Sequence, residues 1–317
     1  MTLTPTRDDI AQRRARSRAR AGLYSGAAAA ALIIAFLVAV TWVDSGRPER
    51  QGPARLSAAD NQRLYLAEQI LVRRCMKHLG FRYWIVPFGD LPAMTPREAL
   101  AIPSLAAAKI HGFHPASASR PFNQAPADAY YSMLSPRRRA AWTGAITGDP
   151  GGARRIPAVQ VRLPQGLVMG HSRLGCVASA EGRLYGDYRA WFAAENTVQA
   201  LRAMALQAVP HARTYVRATR RWSRCLSSRG YTAASPPQFR SAVTRRTRTY
   251  PTAREIAAAT ASAACAESTG LARVALDLQR HYWNGLARHY RKEISTYRKL
   301  ALAALPVAES IIVEEHK

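Results

Sequence analysis

Two short stretches of the chain repeat one phrase. Arg74–Tyr83 reads RCMKHLGFRY and Arg224–Ala233 reads RCLSSRGYTA. Each runs arginine, cysteine, Met or Leu, three further residues, then glycine and an aromatic, and together they hold two of the four cysteines. Each cysteine ends a stretch of helical periodicity, five residues before a glycine that takes positive φ cheaply. An extended loop comes next in both cases, then a second helical stretch with a cysteine in its predicted early turns, Cys176 or Cys265. Where two helices pack antiparallel, the end of one lies beside the start of the next. The cysteines can then reach the roughly 5–6 Å Cα separation that a disulfide requires. Three pairings of four cysteines are formally possible, and this plan favours Cys75–Cys176 with Cys225–Cys265.

Oxidised cysteines need an oxidising compartment, and the N-terminus supplies the route to one. Ala21–Val43 is 23 residues without a charge, with Tyr24 and Trp42 near its ends. About 20 apolar residues cross a bilayer as helix, and amphipathic rings favour its interfaces. The preceding tail carries six arginines against Asp8 and Asp9, so the positive-inside tendency leaves residues 1–20 in the cytoplasm and exports the chain beyond Val43. A cleaved signal peptide is the alternative. The run ends in TWVDSG, with no small-x-small cleavage site directly after it and no cysteine near it for lipidation. An uncleaved single span is therefore expected, placing the protein in the cell membrane.

Residues 44–53 read as a polar linker and 54–317 as the extracytoplasmic region. A helix is predicted from about Ser57 to Leu79 with Leu64, Ala67, Leu71, Cys75 and Leu79 on one stripe. Residues 83–170 form a loop-rich insertion. It holds two short helices, Ala127–Leu134 and Pro136–Ile146, and a small β-hairpin across Val159–Met169. Periodicity resumes at Cys176 and runs to Pro210, with Leu184, Tyr188, Trp191, Val198, Leu201 and Ala205 on one face. A helix over about His211–Arg229 buries Tyr215, Ala218, Trp222, Cys225 and Leu226. After an arginine-rich loop, one long helix is expected from Thr252 to about Leu305, stopped by Pro306 and bendable at Gly270 and Gly285. The expected fold is mainly α: a transmembrane helix, then an elongated antiparallel helical bundle with the insertion and one hairpin.

The motifs Cys75-Met76-x-x-x-Gly80-Phe81, GCVASAEGRLYGDYRAW (Gly175–Trp191), Trp222-x-x-Cys225 and Cys265 at the head of the terminal helical stretch resemble a group of uncharacterised extracytoplasmic proteins of high-GC Gram-positive bacteria. The resemblance spans most of the outer region. It implies a location and a fold, with no established activity. Leu226 replaces the Met76 of the first copy, and Gly182 interrupts a helix. Many of those proteins look like lipoproteins, whereas this chain carries a spanning run.

The net charge is +26, from 46 basic and 20 acidic residues, and only five of the basic residues are lysine. Between His211 and Arg254 there are eleven arginines and no acid. At 100° per residue, Arg213, Arg217, Arg220, Arg221 and Arg224 share one arc of a helix, opposite its apolar residues. Such a stripe is either a solvated face or an anion-binding surface. Arginine suits the second role because its planar fork donates two parallel hydrogen bonds to an oxyanion. No nucleic-acid module is present, and the expected exported topology argues against nucleic acid as a partner.

No phosphate-binding glycine loop, nucleophile elbow or H-E-x-x-H motif occurs. Cys75-x-x-His78 with His171-x-x-x-x-Cys176 could supply a Cys2His2 zinc set, but Cys225 and Cys265 lack matching histidines and an oxidising exterior favours sulfur pairing. His111-x-x-His114 reads as loop chemistry, and His281 and His289 as packed or solvated. The outer acids include Asp128, Asp149, Glu181, Asp187, Glu195, Glu255, Glu267 and Asp277. Asp187 and Glu195 lie about 12 Å apart along one helix, too far to act as a hydrolytic pair. Capping or balancing arginines is their expected role.

The reading is a non-catalytic binding or scaffolding protein of the cell envelope, with neither cofactor nor metal. It would contact anionic polymers, headgroups or an acidic partner, and its oligomeric state is left open. The alternative is an envelope hydrolase with a site built from the insertion. A reporter that functions only outside the cytosol, fused after Lys317, is expected to be active; activity of a cytosol-only reporter there would reverse the topology.

Overall fold

Helix α1 (Ala58–His78) opens on a reciprocal cap. Ser57 Oγ accepts from the Asp60 N–H at 3.0 Å while the Asp60 carboxylate accepts from the Ser57 N–H at 2.8 Å. The computed structural model describes residues 56–88, 95–114, 125–149, 158–245 and 251–317. The tail 1–20, the uncharged run 21–43 and the linker 44–53 lie outside them. Among the described residues no helix is long and apolar enough to cross a membrane.

The next helices along the chain are α2 (Pro96–Ala99), α3 (Leu105–His111), α4 (Ala125–Met133) and α5 (Pro136–Thr147). Strands β1 (Ala158–Arg162) and β2 (Val168–Ser172) then form an antiparallel hairpin in which Gln160 faces Gly170. The remaining helices are α6 (Cys176–Tyr185), α7 (Tyr188–Ala208), α8 (Arg213–Ser227), α9 (Pro236–Thr244), α10 (Ala253–Ser268), α11 (Leu271–His289) and α12 (Arg291–Glu315). The fold is mainly helical with one small hairpin, as expected. Helices α2, α3 and α9 are additions. They are short, and each starts at a Ser or Thr cap whose side chain accepts a backbone N–H, a local device that does not depend on long periodicity.

Two cores organise these elements. The first gathers Leu64, Ile70 and Met76 of α1, Leu184 of α6, Trp191 of α7, and Ala301, Ala304, Ala308 and Ile311 of α12. The second gathers Trp222 and Leu226 of α8, Phe239 of α9, Ala258 and Ala266 of α10, and Leu271 of α11. Each core carries one staple, Cys75–Cys176 in the first and Cys225–Cys265 in the second, with Cα separations of 5.6 and 5.7 Å.

The repeated phrase builds the same helix end twice. Gly80 and Gly230 take φ of 76° and 83°. The aromatic after each glycine returns its N–H to the residue after the cysteine, Phe81 to Met76 O at 2.9 Å and Tyr231 to Leu226 O at 3.2 Å. Met76 and Leu226, different in sequence, are both fully buried.

Several expectations need correcting. Leu79 is not on the buried stripe of α1; it is 48 % exposed, and Met76 takes the core position because the chain is already turning at the cap. The stretch from Cys176 to Pro210 is two helices, parted at Gly186. The long terminal helix is three. Gly270 adopts φ 74° after α10, and Tyr290 leaves helical geometry at φ −100°, ψ 37°. Pro306 does not stop α12 but lies inside it. The cost of an interior proline, about 3 kcal/mol, is met by Ala304, Ala308 and Ile311 packing in the core. It is also met by Arg73 and Arg74 gripping Glu314 and Glu315 at the helix end.

The antiparallel plan holds only in part. Cys176 opens α6, so the first staple joins a helix end to a helix start. Cys265, by contrast, lies in the last turn of α10, so the second joins two helix ends. Trp222 Nε1 donates to Ser262 O at 3.1 Å, the same 40-residue offset as Cys225–Cys265, so α8 and α10 run in the same sense there. The Arg73 and Arg74 contacts likewise bring the C-terminal ends of α1 and α12 together.

On chain-entropy grounds, closing separations of 101 and 40 residues stabilises by about 4.7 and about 3.9 kcal/mol respectively. Denaturant unfolding of the paired Cys→Ser variants is expected to show the larger loss for Cys75/Cys176. Equal or reversed losses would mean that strain or residual structure outweighs loop entropy.

Candidate functional site

Among the described helices, α8 has the most sharply divided faces. Tyr215, Ala218, Trp222 and Leu226 are buried on one side, with Trp222 and Leu226 at 0 % exposure. Arg213, Arg217, Arg220, Arg221 and Arg224 are all exposed on the other. The buried side is fixed by the Cys225–Cys265 bond and the Trp222 indole hydrogen bond, so the arginine side has a set orientation. Among the described residues none of these five arginines has a carboxylate within ion-pair distance. Elsewhere Arg63, Arg73, Arg74, Arg97 and Arg280 are all paired. Arg221 makes one contact, donating to Thr269 O at 3.4 Å. At a rise of 1.5 Å per residue the five span roughly 16 Å along the helix.

The remaining candidates fall into structural roles. All four cysteines are in disulfides, which removes the thiolates a zinc set or nucleophile would need. Among the described residues no three His, Cys, Asp or Glu side chains converge as metal ligands. His78 is exposed. His171 Nδ1 lies 2.7 Å from the Tyr188 hydroxyl, and burial holds its pKa below the ordinary histidine value. His114 Nε2 lies 3.3 Å from Glu255 Oε1, beneath the turn that closes α3; His281 and His289 are exposed. Asp187 caps α7 by accepting the Ala190 N–H at 2.9 Å.

Glu195 has an arginine beside it, as expected, for the charge of Arg202 favours its ionised form. It belongs to an interior group with Glu68 and Glu181, one carboxyl from each of α7, α1 and α6. Glu68 and Glu181 are 7 % and 6 % exposed, and Glu195 is half-buried. Aromatic rings enclose them. The Tyr185 hydroxyl donates to Glu68 Oε2 at 3.4 Å. Its ring stacks on Trp191, which stacks in turn on Tyr297; Trp191 Nε1 is buried without a hydrogen-bond partner. Tyr83 approaches from the segment after α1 and bonds Gln69 at 2.7 Å.

Burial, then the Glu195 charge, pushes Glu68 up to about 8, with the Tyr185 hydrogen bond opposing. Burial pushes Glu195 up to about 7 against the favourable charge of Arg202. Burial and both neighbouring carboxylates raise Glu181 well above the usual range. Burial thus favours the protonated form of each carboxyl, while Arg202 is the nearby cation that favours the ionised form of Glu195. Glu68, Glu181 and Glu195 each occupy a helical apolar position, after Leu64, before Leu184 and after Trp191 respectively. That spacing is the signal which could have revealed them.

Comparison of the chain with protein-family models, curated proteins and solved structures finds no match.

The folded state retains protons on these carboxyls that the unfolded chain, titrating near 4.5, releases. Stability from this core is therefore full below about pH 4.5 and is lost as pH rises through 7 to 8, on the order of a few kcal/mol. Thermal unfolding is expected to show a falling midpoint between pH 5 and 8. Glu68→Gln, which mimics the protonated form, should reduce that fall by about half. An unchanged slope in the variant would place the proton uptake elsewhere.

Proposed function

We propose that this is a non-catalytic binding protein of the cell envelope. The run Ala21–Val43 anchors it, its helical region lies outside the membrane, and α8 holds an anionic envelope polymer. The two disulfides support an oxidising location. The observation that carries the binding role is the set of five exposed arginines on a stapled helix face, without a single carboxylate partner among the described residues. A solvated face needs no such exclusion of acids, and Arg73 and Arg74 show that this chain does pair arginines where the fold calls for it. The linear array of charges suits a ligand with repeating negative charge better than a single headgroup. It also suits such a ligand better than a folded acidic patch, whose charges do not follow a helix axis.

The three interior carboxyls do not favour hydrolysis, because their protons and aromatic walls adapt them to the core rather than to a cleft.

Retention of the full chain on an immobilised anionic polymer is expected to fall steeply as salt rises. Replacing Arg213, Arg217, Arg220, Arg221 and Arg224 by glutamine should move elution to much lower salt with the fold unchanged by circular dichroism. Unchanged retention in that variant would remove α8 as the binding face.

A further inference from the structure

The arginine face of α8 does not end at the helix. The Arg221 guanidinium bonds the carbonyl of Thr269, and Thr269 also lines a groove of about 550 Å³ where α10 gives way to α11, beneath α2. That volume lies in the range of small-ligand sites. Three guanidiniums border it, Arg97 from α2 and Arg273 and Arg280 from α11, together with Glu267 and Asp277. The acids are engaged: Glu267 lies 3.7 Å from Arg97, and Asp277 lies 2.6 Å from Arg280. Arg273 has no ion pair among the described residues and is exposed. The groove thus holds one uncompensated positive charge, with donors approaching from two elements. The first turn of α11 has no side-chain cap, so its leading N–H groups add to the same field.

We infer that this groove seats one phosphodiester group of the polymer held by the α8 arginines, an assignment that rests on the binding role proposed above. A phosphodiester carries one negative charge, matching the single open charge of the groove. Its tetrahedral oxygens suit the open guanidinium of Arg273 together with the N–H groups at the helix start, whereas a planar carboxylate accepts within one plane. Arg97, already donating to Ile102 O and Pro103 O, borders the groove as a fixed charge.

The test compares retention of the full chain on a phosphodiester-linked polymer and on a polycarboxylate of equal charge density. The wild type is expected to elute from the phosphodiester matrix at the higher salt. Arg273→Gln should abolish that difference, by a loss of about tenfold in affinity for the phosphodiester matrix alone. The five-glutamine α8 variant should weaken on both matrices yet keep their order. Equal wild-type elution from the two matrices, or a difference that survives Arg273→Gln, overturns the groove while leaving the α8 surface standing. No retention on either matrix overturns the α8 surface itself. Preferential capture by phosphatidylglycerol vesicles would overturn the polymer as the source of the phosphodiester.

Discussion

The disulfide at each helix end acts where a helix would otherwise fray. A glycine in positive φ turns the chain, the next aromatic returns its N–H to the penultimate turn, and a cysteine five residues back is tied to a second helix. Cap and staple are mutually dependent. The cap fixes the direction in which the last turn presents its cysteine, and the bond keeps that turn from unwinding. A chain that does this twice can hold two separate cores, each with its own closure. In a chain with 46 basic side chains against 20 acidic ones, such closures hold the two cores against charge repulsion.

Charge is distributed unequally between the two cores. At the first, Arg73 and Arg74 meet Glu314 and Glu315 where the C-terminal ends of α1 and α12 converge. Burial opposes ionisation of Glu315, yet its hydrogen bonds to Arg74 and Arg73 hold its pKa below the ordinary carboxylate value. Here arginine serves the fold. At the second core the buried face of α8 needs no charge, since Trp222 and Cys225 supply its attachment. Among the described residues its five exposed arginines meet no carboxylate, and Arg221 alone makes a side-chain hydrogen bond, to Thr269 O.

Much of this is legible in the sequence where a signal is local or strictly periodic. The glycine caps, both cysteine pairs, the hairpin and the two faces of α8 can all be read from spacing. The second pairing is instructive, because the expected reason for it differs from the observed one. Periodicity puts Cys265 near the start of a long helix, yet Gly270 divides that stretch and leaves the cysteine at a helix end. Periodicity cannot register such a break, because the apolar seam continues through it at Leu271 and Val274. Pro306 misleads in the opposite direction: its intrinsic cost argues for a stop, and only tertiary packing overrides it. The interior carboxyls escape a sequence reading because a glutamate at an apolar position looks like an interruption of the stripe. Only the meeting of α1, α6 and α7 shows that three interruptions coincide.

That coincidence bears on what a cluster of acids can mean in a basic protein. Three glutamates at the surface would have attracted some of the arginines and lessened the positive field. In the interior burial favours their protonated forms, and Arg202 beside Glu195 is the arginine they meet. The acids sequestered in the first core and the arginines left unpaired on the second are thus two results of one arrangement. Burial favours the protonated forms of Glu68, Glu181 and Glu195, and Glu314 and Glu315 are held by Arg73 and Arg74, while the α8 arginines stand exposed without a carboxylate partner among the described residues. The groove beside Thr269 repeats the rule on a smaller scale, with Glu267 and Asp277 each engaged and Arg273 left open. Positive charge unopposed along one helix and into one groove is what such an arrangement offers a ligand, and a chain with its acids spread evenly among its arginines could not present it.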